Sequence, residues 1–374
     1  MKEKILFVSS SISFHENFLF ETINNLSKTN DIYVIANCKF KTKNFKNINL
    51  INIPISRKID ILSDFICTLL LVKNFYKIKP DRIISSSPKG GFLTSMAIYF
   101  YLNNKKKKCH IATGQLWYDK KKLNRLIFKY IDKFIFNSSK LIIADSKSQI
   151  NFLKSEGFDG SKIKLIYKGS IKGVDTSIYK KNQKERNRLR KELNFKKNEI
   201  VILYLGRINQ QKGIPMLYDA FNKLIINKLK VKLLIVGRDE ENLITQLNKK
   251  YTNISNEVNY LQYTNHAYKF YSCADIFCLP SSREGFGMSI IEASSCELPI
   301  IASDVVGIQD SVQNNKTGIL FNIKNKNSFN IKLERLIYDK SLRSKLAKNG
   351  RKYVLNNFDE KKVVPFLLDL IKEF

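Results

Sequence analysis

The chain has 374 residues, 44% of them hydrophobic and 11% aromatic, and a formal net charge of +32 at pH 7. That length exceeds a single compact core, so two domains are expected, and the apolar content excludes a disordered chain. The charge calls for anionic partners (nucleic acid, an acidic membrane surface or phosphate-bearing small molecules), although a Lys-, Asn- and Ile-rich composition of the kind AT-rich coding gives accounts for the excess equally well.

In chain order, strands are predicted over 5–9, 32–36, 82–86, 110–113, 141–144 and 164–167, with helical patterns between most of them at 16–28, 61–77 and 123–137. Residues 1–8 start basic, but their apolar run is short and suits a first strand, so no secretory signal is expected. The apolar stretch 59–72 is interrupted by Asp60 and Asp64 and is too short and too charged to span a bilayer. The lysine run 105–108 reads as an exposed loop. Residues 120–134 form a basic amphipathic helix candidate, with Leu123, Leu126, Ile127, Tyr130, Ile131 and Phe134 on one side. It suits either a core-packed helix or contact with an anionic membrane leaflet.

A stretch over 168–190 with Gly169, Gly173 and a basic run at 180–186 reads as a solvated linker leading into a surface helix. The second half then repeats the scheme, with strands predicted over 201–205, 232–236, 258–261, 275–279 and 299–302 and a helix over 215–226. From residue 327 onward only helices are expected. The organisation is thus a Rossmann-like domain over 1–175, a second over 176–355, and a terminal helix over 356–374 that crosses back to the first domain. Alternating strands and helices imply two doubly wound parallel sheets, an α/β architecture that binds ligands beyond the carboxyl ends of its strands, here across a cleft. The six cysteines form no Cys-x-x-Cys pair and read as reduced, buried thiols of a cytosolic protein. His15, His110 and His266 lie at no metal-ligand spacing, so no metal site is expected.

Two segments of the second half carry the sharpest chemistry. Gly206, Arg207, Lys212 and Gly213 follow a strand and precede a helix, placing two cations at a strand end. A departing diphosphate needs such charges, Arg as a planar fork and Lys as a compact point. Glu284, Gly285, Phe286, Gly287, Met288, Ser289, Ile290 and Glu292 run from a strand end through a glycine-rich loop into a helix. Its first amides suit a phosphate, and the two carboxylates suit sugar and ribose hydroxyls. Gly237 closes the strand over 232–236 and joins this donor-binding set.

These motifs, with 298–307 and 315–321 downstream, resemble the retaining glycosyltransferases of family 4, which have the GT-B fold. The resemblance covers nearly all of 200–355. It implies that Arg207 and Lys212 bind the donor diphosphate, that Glu284 contacts the donor sugar, making these three the catalytic set, and that Glu292 holds the ribose. It also implies that neither metal nor cofactor is needed, in keeping with the absence of an Asp-x-Asp pair.

In the first half, Ser87-Pro88-Lys89-Gly90-Gly91 ends a strand and opens a helix whose amides, with Lys89, suit a phosphate. Thr113-Gly114-Gln115 ends another, just before Trp117, which stacks on a sugar, lines a lipid path, or is plain core. With 169–175, these segments resemble bacterial capsule and O-antigen transferases of the CapM type. That likeness implies a polyprenyl-diphosphate-linked or polysaccharide-precursor acceptor, and a cytoplasmic enzyme peripheral on the inner face of the membrane. His15, Lys89, Gly90, Gln115 and Trp117 are the acceptor-binding candidates. Ser9–Ser10–Ser11 replaces a glycine pair common among relatives, and Gln115 stands near where many carry a histidine, leaving His15 and His110 open as catalytic groups. The expected reaction is transfer of an N-acetylhexosamine or related sugar from a UDP-sugar. The rivals are a nucleotide-sugar epimerase or hydrolase and, from charge alone, a nucleic-acid binder, for which no recognition motif is found.

Overall fold

The computed structural model describes residues 2–39, 45–56, 58–101, 108–264 and 266–374. The chain forms two compact units, one of Met1–Lys172 with Lys361–Phe374, the other of Gly173–Glu360. Each is built on a parallel sheet.

The first unit contains strands β1 (Lys4–Val8), β2 (Asp31–Ala36), β3 (Ile48–Asn52), β4 (Arg82–Ser86), β5 (Lys108–Ala112), β6 (Leu141–Ala144) and β7 (Ile163–Leu165), in the order β3-β2-β1-β4-β5-β6-β7. The central strands β1, β4 and β5 are almost wholly buried because helices cover both faces. On one face Ile5, Phe7, Ile32, Val34 and Ile84 pack with Ile23 and Leu26 and with Val363, Leu367, Leu370 and Ile371 of the terminal helix Glu360–Glu373. On the other, Leu6, Val8, Ile35 and Ile83 meet Cys67, Leu71 and Phe75 of helix Ile61–Ile78 and Leu93 and Ala97 of helix Pro88–Phe100. The second unit contains β8 (Ile200–Leu205), β9 (Val231–Val236), β10 (Val258–Leu261), β11 (Ile276–Leu279), β12 (Ile300–Ser303) and β13 (Gly318–Phe321), in the order β10-β9-β8-β11-β12-β13.

Both sheets are doubly wound. The strand order reverses beside β1 and β4 in one, and beside β8 and β11 in the other. Crevices form at such reversals, beyond the strands' carboxyl ends. Two strands escaped the sequence reading, β3 and β13. Both are edge strands, and β3 alternates Asn with Ile and Leu and stays half-exposed. The helix expected over 16–28 begins at Ile12 and passes through a five-residue π-helical stretch, His15–Leu19.

Two basic runs do more than face solvent. In the run expected as a linker and surface helix, Arg186 and Arg190 of helix Gln183–Glu192 turn inward onto Asp275, at 2.6 and 3.1 Å, and onto the carbonyl of Cys273. They tie that helix to the start of β11. In the lysine run, residues 105–107 lie outside the described residues, whereas Lys108 opens β5 and is wholly buried instead of lying in an exposed loop. Its Nζ donates to Ser95 Oγ at 2.5 Å, Ser138 Oγ at 2.9 Å and the Ile135 carbonyl at 3.3 Å, bolting two helices to the sheet. These hydroxyl and carbonyl partners carry no opposing charge, and burial pulls the ammonium down from 10.5 to about 7. With the folded value below the unfolded one, stability rises with pH between these two values and is lowest once both states are protonated. Lys108→Met is therefore expected to flatten the stability profile from pH 7 to 10 by on the order of 1.4 kcal/mol per pH unit, read from denaturant midpoints of variant and wild type.

Candidate active site

The reversal point of the second sheet gathers the donor-site candidates. After β8 the chain turns at Gly206, whose amide donates to the Val236 carbonyl, and Gly237 donates to that of Leu261, so both glycines stand at adjacent strand ends. Tyr204, buried within β8, donates its hydroxyl to the Arg207 carbonyl at 2.5 Å and so fixes the turn. Burial, then the nearby Glu284 charge, holds that phenol well above its usual range, so it remains a donor. The Arg207 guanidinium is exposed and meets Glu240 at 3.2 Å, which also accepts from Asn209 at 2.8 Å. Asn209 in turn caps the short turn Gln210–Lys212 through the Lys212 amide.

From that turn Lys212 Nζ reaches Glu284 Oε1 at 2.5 Å, both side chains largely shielded from solvent. Gly213 makes this approach possible. It has φ 75°, and a Cβ there would lie 2.0 Å from the Pro280 carbonyl oxygen. The backbone after β8 thus lies directly against the backbone after β11, and Ser282 donates its amide to Gln211 across the gap at 2.8 Å.

The loop after β11 passes Glu284 and Gly285 and enters helix Met288–Ser295 at Gly287, which caps it at φ 80°. Phe286 is buried against Phe358, with ring centroids 5.1 Å apart, in a cluster with Val174, Ile291 and Val354. Its ring therefore anchors the loop, and only its backbone is placed to serve a ligand. Ile290 is likewise core, while Met288 and Ser289 are half-buried at the first turn. The first amides of a helix have no partner within it and favour an anion. One turn in, Glu292 accepts from the Tyr271 hydroxyl at 2.9 Å. Burial, then the Glu292 charge, keeps Tyr271 protonated well above its usual range. Lys212 with its partner Glu284, the start of helix Met288–Ser295 and the oriented Glu292 one turn into it thus follow β8 and β11, the neighbouring strands at the reversal point. That set can take a diphosphate flanked by hydroxyl-bearing rings. The sequence reading missed Tyr204, Tyr271 and Glu240. A Tyr inside an otherwise aliphatic strand was the available signal, since its hydroxyl needs a buried partner.

The acceptor candidates of the first unit are more dispersed. Gln115 is buried and accepts from Gln149 Nε2 at 3.3 Å; it lines a small pocket with Ser87, His110, Thr113, Gly114 and Asp132. Gly90 packs its backbone on Ser9, and Ser87, at φ 62°, caps the helix behind it. Lys89 is paired with Asp64 and donates to the Lys58 carbonyl at 2.9 Å, so its charge is already matched. His110 bonds Ser85 Oγ through Nδ1 at 2.9 Å; burial, then the Lys108 charge, lowers its pKa well below 6.5 and keeps it neutral.

Two of the candidates sit in the core and cannot touch a ligand as placed. Trp117 is fully buried between Phe152 and Phe158, and its indole N–H donates to Asp132 at 2.8 Å. The interior supplies the one partner its polar atom needs, so the ring fills space and does not stack on a sugar. His15 is sealed edge-on against Phe7 and Phe14, neither ring nitrogen has a hydrogen-bond partner, and burial lowers its pKa to about 3. The expected stripe of the 120–134 helix splits. In helix Lys122–Asn137, Asp132, Ile135 and Phe136 face inward, while Leu123, Leu126, Ile127 and Tyr130 are exposed.

Residues 185–353 match the family described as glycosyl transferases group 1. The capsular polysaccharide biosynthesis glycosyltransferase CapM of Staphylococcus aureus is 29% identical over 334 residues, covering 88% of this chain and 87% of that protein. The UDP-Gal:α-D-GlcNAc-diphosphoundecaprenol α-1,3-galactosyltransferase of Escherichia coli is 28% identical over 320 residues, covering 84% of this chain and 81% of that one. Among solved structures, Anabaena HepE in complex with UDP and glucose superposes with a TM-score of 0.81 at 18% identity, over the whole of both chains.

Proposed function

We infer the reaction from one premise: the chain is a glycosyltransferase of the GT-B fold, its group 1 domain spanning residues 185–353. It transfers a sugar, with retention of configuration and without a metal, from a UDP-sugar to a polyprenyl-diphosphate-linked or polysaccharide-precursor acceptor. Its place is in the assembly of a bacterial surface glycan, on the cytoplasmic side of the membrane. The observation that carries this reading is the Lys212–Glu284 pair beside the start of helix Met288–Ser295.

In the free enzyme each member of that pair neutralises the other. When donor binds, Lys212 passes to the diphosphate together with Arg207 and the first amides of the helix. Glu284 turns to hydroxyls of the sugar, and Glu292, held by Tyr271, takes the ribose. As the glycosidic bond lengthens, negative charge grows on the leaving diphosphate, and these fixed cations and dipoles stabilise it more than the ground state. The acceptor hydroxyl attacks on the leaving-group face, giving retention. Gln115, Lys89 and Gly90 of the first unit serve the acceptor.

Support for the donor comes from the UDP-bound structural neighbour, and support for the acceptor from relatives whose names state diphospho-undecaprenol substrates. The test is incubation of the protein with a panel of UDP-sugars, with and without a polyprenyl-diphosphate glycan, followed by anomeric analysis of the product. A glycan extended through an α-linkage from an α-linked donor is expected. Free sugar or an epimerised nucleotide-sugar, formed equally with and without acceptor, would replace this reading by the hydrolase or epimerase one. Salt-sensitive DNA binding with no response to nucleotide-sugars would favour a nucleic-acid binder.

A further inference from the structure

At the carboxyl end of β5 lies a small pocket with room for about one water molecule or one hydroxyl group. It is lined by Ser87 and Pro88 at the start of helix Pro88–Phe100, by His110 and Gln115, and by Asp132 and Phe136 of helix Lys122–Asn137. These helices cover the face of β5 to which His110 points. Gly91 packs on the imidazole, and Ala112, two residues along the same face, shares a core cluster with Phe136. Ser87 holds φ 62° with ψ 149°, a conformation that side chains rarely adopt and that clusters at ligand sites.

The hydrogen bonds around His110 place its proton. The Ser85 hydroxyl donates to the Cys109 carbonyl at 3.3 Å, so its oxygen accepts from the ring, 2.9 Å away, and the proton sits on Nδ1. Burial, then the Lys108 charge, holds the ring neutral. Nε2 is therefore an acceptor. Gly91 closes the opposite edge: a Cβ there would lie 2.5 Å from Cε1 and 2.9 Å from Nδ1. The edge left to the pocket carries Nε2. Asp132 accepts as well, taking the Trp117 N–H at 2.8 Å. Gln115 turns its amide oxygen to Gln149 Nε2 at 3.3 Å, so N–H is what its amide can offer a neighbour. A phosphate oxygen only accepts, and here it would meet a ring nitrogen and a carboxylate with no proton to give either. The nearby cation of the helix start, Lys89, is engaged by Asp64. A sugar hydroxyl, in contrast, donates one hydrogen bond and accepts another.

We propose that His110 Nε2 and Asp132 make this pocket a subsite for one neutral sugar hydroxyl, accepting its hydrogen bond while Gln115 donates to its oxygen, and that they exclude phosphate from it. Any diphosphate of the same ligand then lies outside the pocket. That the hydroxyl belongs to the transfer acceptor rests on the function proposed above; the subsite itself does not.

The experiment follows the imidazole nitrogens of the full chain, labelled with nitrogen-15 at its three histidines, by NMR. The His110 signals are identified by their loss in His110→Asn or His110→Gln. The chain is titrated with the methyl glycosides of glucose, galactose, N-acetylglucosamine and N-acetylgalactosamine, and separately with inorganic pyrophosphate. The free protein is expected to show an unprotonated Nε2, whose resonance moves with at least one glycoside and not with pyrophosphate. His110→Asn keeps a donor for Ser85 but loses the Nε2 acceptor, so it should bind that glycoside about tenfold more weakly. His110→Gln, whose carboxamide reaches the place of Nε2, should retain most of the affinity. Both variants should gain the wild-type thermal shift from UDP. A proton on Nε2 in the free protein would overturn the proposal. So would a response to pyrophosphate alone, which marks a phosphate site, or to none of the probes, which marks a site for internal water only. If a glycoside moves Nε2 as expected but no lipid-linked acceptor is extended, the subsite stands and the acceptor reading fails.

Discussion

Lys212→Ala is expected to lower sugar transfer by about 10²–10³-fold in kcat, the loss typical of removing one preorganised charge from a developing anion. Lys212 is the more deeply placed of the two cations, its side chain 14% exposed against 51% for Arg207, so less water screens it. Arg207→Ala should therefore cost less, about tenfold, because its guanidinium already faces solvent and Glu240. Glu284→Gln separates two effects of the ion pair. It keeps a hydrogen-bonding side chain opposite Lys212 but removes the negative charge, so a turnover loss with an unchanged melting temperature locates its role in sugar binding. Steady-state kinetics at saturating donor, with melting curves for each variant, distinguish these outcomes. Equal turnover in wild type and Lys212→Ala would remove the diphosphate from this crevice.

The second large effect is structural. Gly213→Ala places a methyl group where the Pro280 carbonyl oxygen already sits and forces a side chain into φ 75°. The left-handed conformation alone costs about 1–2 kcal/mol, and the clash involves backbone on both sides, so neither partner can swing away. A total near 3 kcal/mol corresponds to a fall in melting temperature of about 10 °C for a unit of this size. Because the same contact holds Lys212 opposite Glu284, the stabilisation by UDP should shrink with it. A variant that melted like wild type and bound UDP normally would show that the two loops tolerate separation.

Much of this fold was legible because buried parallel strands advertise themselves. The run Leu141–Ala144, Leu-Ile-Ile-Ala and wholly buried, coincides with its predicted bounds, since helices on both faces demand unbroken apolar sequence. Edge strand β3 was not legible for the converse reason: one neighbour and partial exposure let Asn alternate with Ile and Leu. The loop-to-helix grammar of Gly287 and Met288 could be read directly, as could the cations after β8. What sequence could not separate was a residue's type from its direction. Phe286 sits within the glycine-rich motif yet points into the core. Trp117 was placed near a ligand because it follows a strand end, but Asp132, fifteen positions later, satisfies it internally. Lys108 looked like the tail of a solvated run because nothing local distinguishes it from its neighbours. The distant Ser95 and Ser138 hydroxyls and the Ile135 carbonyl make its burial tolerable.

The central claim is that the second sheet's reversal point recognises a diphosphate, not merely a nucleoside. Calorimetric titration of wild type and Lys212→Ala with UDP and with uridine tests it most directly. The account predicts that wild type binds UDP far more tightly than uridine, and that the substitution removes most of that difference while leaving uridine binding as it was. A preference for UDP that survives intact in Lys212→Ala would contradict it.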